Sequence, residues 1–492
     1  MTPSPAARSG PPSEKKAPVT PLPPPSPDPL PALSVQDRLT LGLARRGADS
    51  AMHLGLVMLL DGPIPTLGEL RAHLDERLAS APELALRIGG PPTRPRWVVD
   101  PAFGSARHVH ELVLPPGVPA GPDQVMAAVL DLTLPADRPR WGLWLVRPAD
   151  GADGGYALCY RAHHAFQDGM AAMGTVEALF GDPPPAPRPA PGPTHPATPH
   201  AATAPDDAGP ARPARLGVAA LRELLPRRRP PAGWSGLEHP PTGRRTAVTT
   251  SVELPRLYAL GRATGASLGQ LCLAAATATL RARHPQDWPA DRPCPALHAN
   301  LGISLRDPDD PRRLLGNRAG VLRIALPCGE PSPTARLAAL RREVTPELVA
   351  TVGRLHRTLL HRTPYWCARL GLRRSLDPRH TALSLADVRL RRPLALGADR
   401  VHSVYPLPVS VPGQPLFIAW TADRRRLYVT FLADEALADG PDLATLWHRA
   451  VDDLEAGAVE AGLLPHPAGP HPAGPATAGP AAGPAAGAVA TR

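Results

Sequence analysis

The sequence predicts an α/β fold, in the broad sense that includes α+β, arranged as two lobes. Three observations point there. Short apolar runs of strand length alternate with amphipathic segments of helical period through most of the chain. At 156–180 a strand-like run passes through a polar junction straight into a helical pattern. Finally, 492 residues with 43% hydrophobic content supply two globular units or one large bilobal one.

Residues 1–32 are rich in proline and serine and are expected to be a disordered arm. Order is expected from Leu33, with Ser34 placed to cap a short helix. A strand is predicted over 52–60 and a helix over 66–78, where Leu67, Leu70, Leu74 and Leu78 form one stripe and Thr66 and Glu69 stand in capping-box relation. A short strand over 96–99, a helix over 125–132 and a strand over 141–146 follow. The loop 147–155 leads into the strand-like run Tyr156-Ala157-Leu158-Cys159-Tyr160, and Met170, Met173, Val176, Leu179 and Phe180 continue at helical spacing. Residues 33–182 make up the first lobe in this reading.

Over 183–243 proline dominates, as in a crossover linker; only 215–225, followed by three arginines, has a helical pattern. The second lobe, 244–460, opens with an alternating strand over 246–253 and helices over 255–262 and 267–284. Strands follow over 297–305 and 317–326, a long helix over 333–352, strands over 401–407, 416–421 and 427–432, and a helix over 443–457. The tail, 461–492, repeats Pro-Ala-Gly units and is expected to be disordered.

The junction between the strand and helix of the first lobe holds the reactive residues. It reads H-H-x-x-x-D-G: His163, His164, Asp168 and Gly169. An imidazole titrating near neutrality takes a proton from a hydroxyl and returns it to a leaving group. Neighbouring strand residues point to opposite faces, so only one histidine faces a cleft, and His164 is the better candidate base. Gly169 lets the backbone turn. The competing reading is a packed or surface histidine pair.

The net charge of +10 is carried almost wholly by arginine, since Lys15 and Lys16 are the only lysines. With alanine, proline and glycine in excess, that pattern fits a biased coding composition, and the aromatic-interleaved basic patches of nucleic-acid binders are missing. Nucleic acid is therefore not an expected partner. A basic face for coenzyme phosphates or anionic lipid stays open, and the helix over 215–225 is the candidate for peripheral membrane contact. Five widely spaced cysteines with no C-x-x-C pair fit reduced thiols, and the opening residues lack the apolar core of a signal peptide, so the expected location is cytoplasmic. The pairs His108/His110 and His356/His361 lack carboxylate or thiolate partners at metal-ligand spacing, so no metal is expected. No P-loop is present, which excludes a P-loop NTPase.

Five blocks in order resemble the wax ester synthase/diacylglycerol acyltransferase family, within the wider H-H-x-x-x-D-G group of CoA-dependent acyltransferases and condensation domains. They are the central motif, L-S-V-Q-D with S-A-M-H-L-G (33–37 and 50–55), R-P-R-W-G-L-W-L (138–145), I-S-L-R (303–306) and G-N-R (316–318). The resemblance runs from about 33 to 457. It implies two chloramphenicol-acetyltransferase-like lobes around a tunnel, with acyl-CoA entering from one side and a long-chain alcohol or diacylglycerol from the other. His164 would be the base, with His163 and Gly169 shaping its loop. No cofactor is implied beyond acyl-CoA as substrate. Asp168 would do structural work through a buried arginine; Arg306 is one candidate partner, Arg161 and Arg138 are others. Gly316 and Asn317 carry the second-lobe motif.

Two departures stand out. Gly269-Gln270 replace the family's Asn-Asp pair, and 383–388 replaces its S-N-V-P-G-P segment. They leave two alternatives open. One is a condensation-type acyltransferase of specialised metabolism that takes a CoA or carrier-protein thioester and a hydroxyl or amine acceptor. The other is a non-catalytic acyl-binding homologue. Peripheral association with a membrane or lipid inclusion completes the set of expected partners.

Overall fold

The computed structural model describes residues 30, 32–45, 49–91, 93–150, 155–182, 234–289, 294–307, 313–437 and 439–465. The expected arm up to residue 29, the helix expected over 215–225 and the tail from 466 lie outside them.

In chain order the first part forms α1 (Val35–Ala44), β1 (His53–Leu60), α2 (Leu67–Arg77), β2 (Leu86–Gly89), β3 (Arg96–Val99), β4 (Val109–Leu114), α3 (Pro122–Val129), β5 (Trp141–Pro148), β6 (Tyr156–His163) and α4 (Gly169–Phe180). Ser34 and Thr66 cap α1 and α2 through capping boxes closed by Asp37 and Glu69. The second part forms β7 (Arg245–Glu253), α5 (Leu254–Thr264), α6 (Leu268–Arg283), β8 (Leu297–Ser304), β9 (Ala319–Leu326), α7 (Pro333–Glu343), α8 (Pro346–Arg362), α9 (Tyr365–Ser375), β10 (Leu383–Asp387), β11 (Ala395–Leu396), β12 (Asp399–Leu407), β13 (Leu416–Ala422), β14 (Arg426–Asp434) and α10 (Leu443–Glu460).

Two six-stranded sheets carry the fold, in the orders β11-β12-β1-β6-β5-β4 and β7-β14-β13-β10-β8-β9, and β2–β3 is a separate hairpin. Both sheets are mixed: most neighbours are antiparallel, with parallel pairs at β4–β5, β8–β10 and β10–β13. Late in the chain, β12 pairs antiparallel with β1, Val57 opposite Tyr405. A shared apolar core then ties the halves: Val57, Cys159 and Leu407 of the first sheet pack with Val125 and Met126 of α3 and with Ala247, Tyr428 and Leu432 of the second.

Several expectations shift. The helix predicted over 333–352 is two helices. Pro346 has no N–H to give and disfavours helical backbone at the residue before it, so Thr345 instead caps α8, accepting the Leu348 N–H at 3.2 Å. The helix predicted over 125–132 begins earlier, with Pro122 in its first turn, and ends at Val129. The strands β2, β10 and β11 and the helix α9 were not anticipated. The motif strand runs on through His163, every residue of it buried.

Candidate active site

The end of β6 fixes both histidines. His163 lies opposite His53 of β1, and the His164 N–H donates to the Met52 carbonyl at 2.7 Å, which holds the chain in line one residue past the strand. The side chains then diverge, as alternation requires. His163 is fully buried; its Nδ1 accepts the Ala165 N–H at 3.0 Å, so its Nε2 carries the proton and points toward Asp49 Oδ1, 3.5 Å away. Asp49 also holds His53 Nε2 at 2.9 Å and is ion-paired with Arg140. Burial pushes the His163 imidazole down to about 4, against the pull of Asp49. Burial of Asp49 works against its ionisation, but the bonds from His163 and His53 and the charge of Arg140 hold it well below the usual carboxylate range. His163 is thus neutral, with Nδ1 hydrogen-bonded and Nε2 facing Asp49.

His164 is different. Its ring lines a cavity of about 1220 Å³. Its Nδ1 sits 3.3 Å from the Gln167 carbonyl oxygen. A carbonyl only accepts, so Nδ1 is the protonated nitrogen and Nε2 keeps the lone pair. Burial lowers the basicity of the ring, outweighing the favourable charge of Asp168. The result is a neutral imidazole with an unprotonated nitrogen at the wall of a cavity. That cavity fills the seam between the sheets. Leu54 and Leu56 of β1 line one side, Leu322 of β9 and Leu385 of β10 the other, and Leu355 of α8 and Leu372 of α9 extend it. Its surface is mainly apolar, which suits a long hydrocarbon chain.

Asp168 does not face the cavity. It caps α4 by accepting the Ala171 N–H at 2.9 Å and receives the Arg318 N–H at 2.7 Å. Arg306 clasps it bidentately, Nε to Oδ1 at 3.0 Å and Nη2 to Oδ2 at 2.7 Å, and both side chains are nearly buried. Burial raises the carboxyl, but Arg306 and the two N–H donors bring it below its ordinary value. The two competing arginines are engaged elsewhere. Arg161 is fully buried, its guanidinium among the carbonyls of Val129, Leu130 and Leu132, and Arg138 lies on Asp137.

Gly316 and Asn317 close the same loop from the second half. Gly316 has φ +72° and donates to the Phe166 carbonyl at 2.6 Å; a Cβ there would lie 3.1 Å from Asp37 Oδ1. The Asn317 N–H donates to that oxygen at 2.7 Å, and its side-chain nitrogen donates to Thr40 Oγ1 at 3.1 Å. Gly169 lines the cavity, and a Cβ on it would lie 3.1 Å from Val388 Cγ2. Of the two departures, Gln270 closes the capping box of α6 and donates to the Val344 carbonyl at 2.8 Å, away from the cavity lining. Strand β10, by contrast, places Ser384, Leu385 and Ala386 on the cavity wall.

Sequence reasoning missed Asp49, Asp37, Gln167 and the pair His53–Arg140. Gln167 is fully buried and knits the motif to the loop before Gly316: its side chain donates to the Leu314 carbonyl at 2.8 Å and to Thr175 Oγ1 at 2.7 Å. Asp37, His53 and Arg140 lie inside the blocks that carried the resemblance, which was the available signal. Among the described residues no group of three or more His, Cys, Asp or Glu is arranged to hold a metal, and no helix is long and apolar enough to cross a membrane.

The fold is that of two chloramphenicol-acetyltransferase-like lobes, and an H-H-x-x-x-D-G sequence stands at the seam between them. Residues 33–229 match the wax ester synthase/diacylglycerol acyltransferase catalytic domain. It is similar to a probable diacylglycerol O-acyltransferase of Mycobacterium tuberculosis H37Rv, 30% identical over 135 residues, which is 26% of this chain and 28% of that one. A putative diacylglycerol O-acyltransferase of the same organism is 34% identical over 120 residues, 23% of this chain and 25% of the relative. The alignments thus span well under half of these relatives' length. The fold resembles the wax ester synthase/diacylglycerol acyltransferase from Marinobacter aquaeolei VT8 (TM-score 0.56, 20% identity, 87% of this chain and 99% of that one). It also resembles the starter condensation domain of rhizomide synthetase RzmA, solved as a mutant with C8-CoA and Leu-SNAC (TM-score 0.58, 16% identity, 87% and 94% covered).

Proposed function

We propose that the protein transfers a fatty acyl group from acyl-CoA to the hydroxyl of a lipophilic alcohol, a long-chain alcohol or diacylglycerol, with His164 as general base. One observation carries the reading: the His164 ring, oriented by the Gln167 carbonyl, stands at the wall of a largely apolar cavity between the two sheets. Nε2 takes the hydroxyl proton as the oxygen attacks the thioester carbonyl. The tetrahedral oxyanion collapses, the C–S bond breaks, and the imidazolium returns the proton to the departing thiolate. No covalent enzyme intermediate and no cofactor enters these steps. His163, Asp168, Arg306, Gly316 and Asn317 position the base.

The test is thiol release from palmitoyl-CoA offered with hexadecanol, with diacylglycerol and with no acceptor, comparing the parent with His164→Ala. Release that needs both a lipid alcohol and His164 supports the reading. Strand β10 favours one second reading, because its departure from the family pattern lies on the cavity wall: a condensation-type reaction with a carrier-protein thioester and another hydroxyl or amine acceptor. Release seen only with a carrier-bound donor supports that one. Identical traces with and without the imidazole remove both.

A further inference from the structure

We propose that the outer face of α9 docks the protein onto an anionic lipid surface, from which the acceptor enters the cavity. The role in delivery rests on the reading that the acceptor is lipophilic; the docking face itself rests on α9. Trp366 is 69% exposed and Leu370 64%, one helical turn apart. Arg369 and Arg373 are exposed and complete the same stripe at i+3 and i+7 from Trp366. Neither arginine has a carboxylate partner among the described residues, and the helix, Y-W-C-A-R-L-G-L-R-R-S, contains no acidic residue.

An exposed tryptophan and leucine forgo the burial that stabilises such side chains elsewhere, by about 1.5–3 kcal/mol each in general. Set between arginines they match a surface that is apolar below and anionic above, with the indole at headgroup depth and the guanidinium groups on phosphates. The opposite face of α9 supports the delivery role, because Cys367, Ala368, Gly371 and Leu372 line the catalytic cavity. Leu359 of α8 is 41% exposed and lines that cavity as well. The helix is held in place from beneath, where the Arg38 guanidinium of α1 lies 4.6 Å over the Tyr365 ring. This face is separate from residues 215–225, to which the sequence assigned membrane contact.

The experiment is sedimentation of the full chain with vesicles of phosphatidylcholine alone and of phosphatidylcholine mixed with phosphatidylglycerol, at low and high salt. Two double variants, Trp366→Ser/Leu370→Ser and Arg369→Gln/Arg373→Gln, are run alongside. The parent is expected to pellet with the mixed vesicles at low salt and to be released by salt. Each double variant should partition on the order of tenfold less. Both should keep the parent rate on a short-chain acyl-CoA and a water-soluble alcohol, since none of the four residues lines the cavity. The proposal is overturned if the parent ignores anionic vesicles or if the variants pellet as it does. It is also overturned if the apolar pair proves to hold two copies of the chain together, with vesicle binding unchanged when it is lost. Vesicle binding through α9 without thiol release from any acceptor would remove the acyl-transfer reading and leave the docking face standing.

Discussion

Asp168 shows how much of a motif can be structural. Its carboxylate holds Arg306, caps α4 and receives the Arg318 N–H, so it binds the first-half motif to the second-half loop through one charge. Replacing it with asparagine keeps one oxygen for the cap but sets an N–H₂ against donors and strands a nearly buried guanidinium. Asp168→Asn should therefore lose about 3 kcal/mol of stability, measured by denaturant unfolding. Unaltered stability would show that the pair is not what fixes the loop. The pH sense follows from the lowered carboxyl: the folded value lies below the unfolded one, so the contribution is present above the ordinary aspartate range and is lost as pH falls through the folded value. The motif histidines were legible because their spacing and the flanking strand are local. The Asp49–His53–Arg140 set was not, because its members come from β1, the segment before it and the residue ahead of β5, and meet only when β1 and β5 pair with the two edges of β6.

At the scale of elements, local chemistry was read well where caps and prolines spoke plainly. Ser34 ahead of α1 and Thr66 with Glu69 ahead of α2 mark helix starts that the chain adopts. Errors fell where an apolar period ran through a breaker, as at Pro346, or where a short strand lacked a pattern of its own, as at β2. Strand β8 offers a test of the cavity. Gly302 lies on its wall, and a Cβ there would meet nothing closer than the Leu385 carbonyl oxygen at 3.5 Å, so a side chain is accommodated by the backbone and projects into open space. Gly302→Leu should fold normally by circular dichroism and lower activity on sixteen-carbon substrates roughly tenfold or more relative to short ones. An unchanged chain-length profile would place the acyl or alkyl chain elsewhere.

Across the whole molecule, pairing between distant segments decides what is one folding unit. Nothing in the alternation of residues 399–407 names β1 as their partner, so the crossing of β12 into the first sheet was not legible in the sequence. Its consequence is testable. Residues 30–182 produced alone lack β12, leaving β1 with an open edge, and lose the Tyr405, Leu407 and Tyr428 side chains of the shared core. Such a fragment should aggregate or stay unfolded, whereas a monomer with a cooperative thermal transition would contradict a shared core. The same seam that joins the halves forms the cavity, which is why His164 sits between them.

The central claim, that the free nitrogen of His164 accepts the alcohol proton, is tested most directly by the pH dependence of alcohol-dependent thiol release, measured as kcat/KM for the parent and for His164→Gln. Burial lowers the folded value of this ring. The base is therefore active at neutral pH, and the parent should lose activity only on an acid limb below the ordinary histidine range of about 6.5. His164→Gln should be slower by on the order of a hundredfold or more and should lack that limb. A variant within twofold of the parent and with the same acid limb would contradict the account.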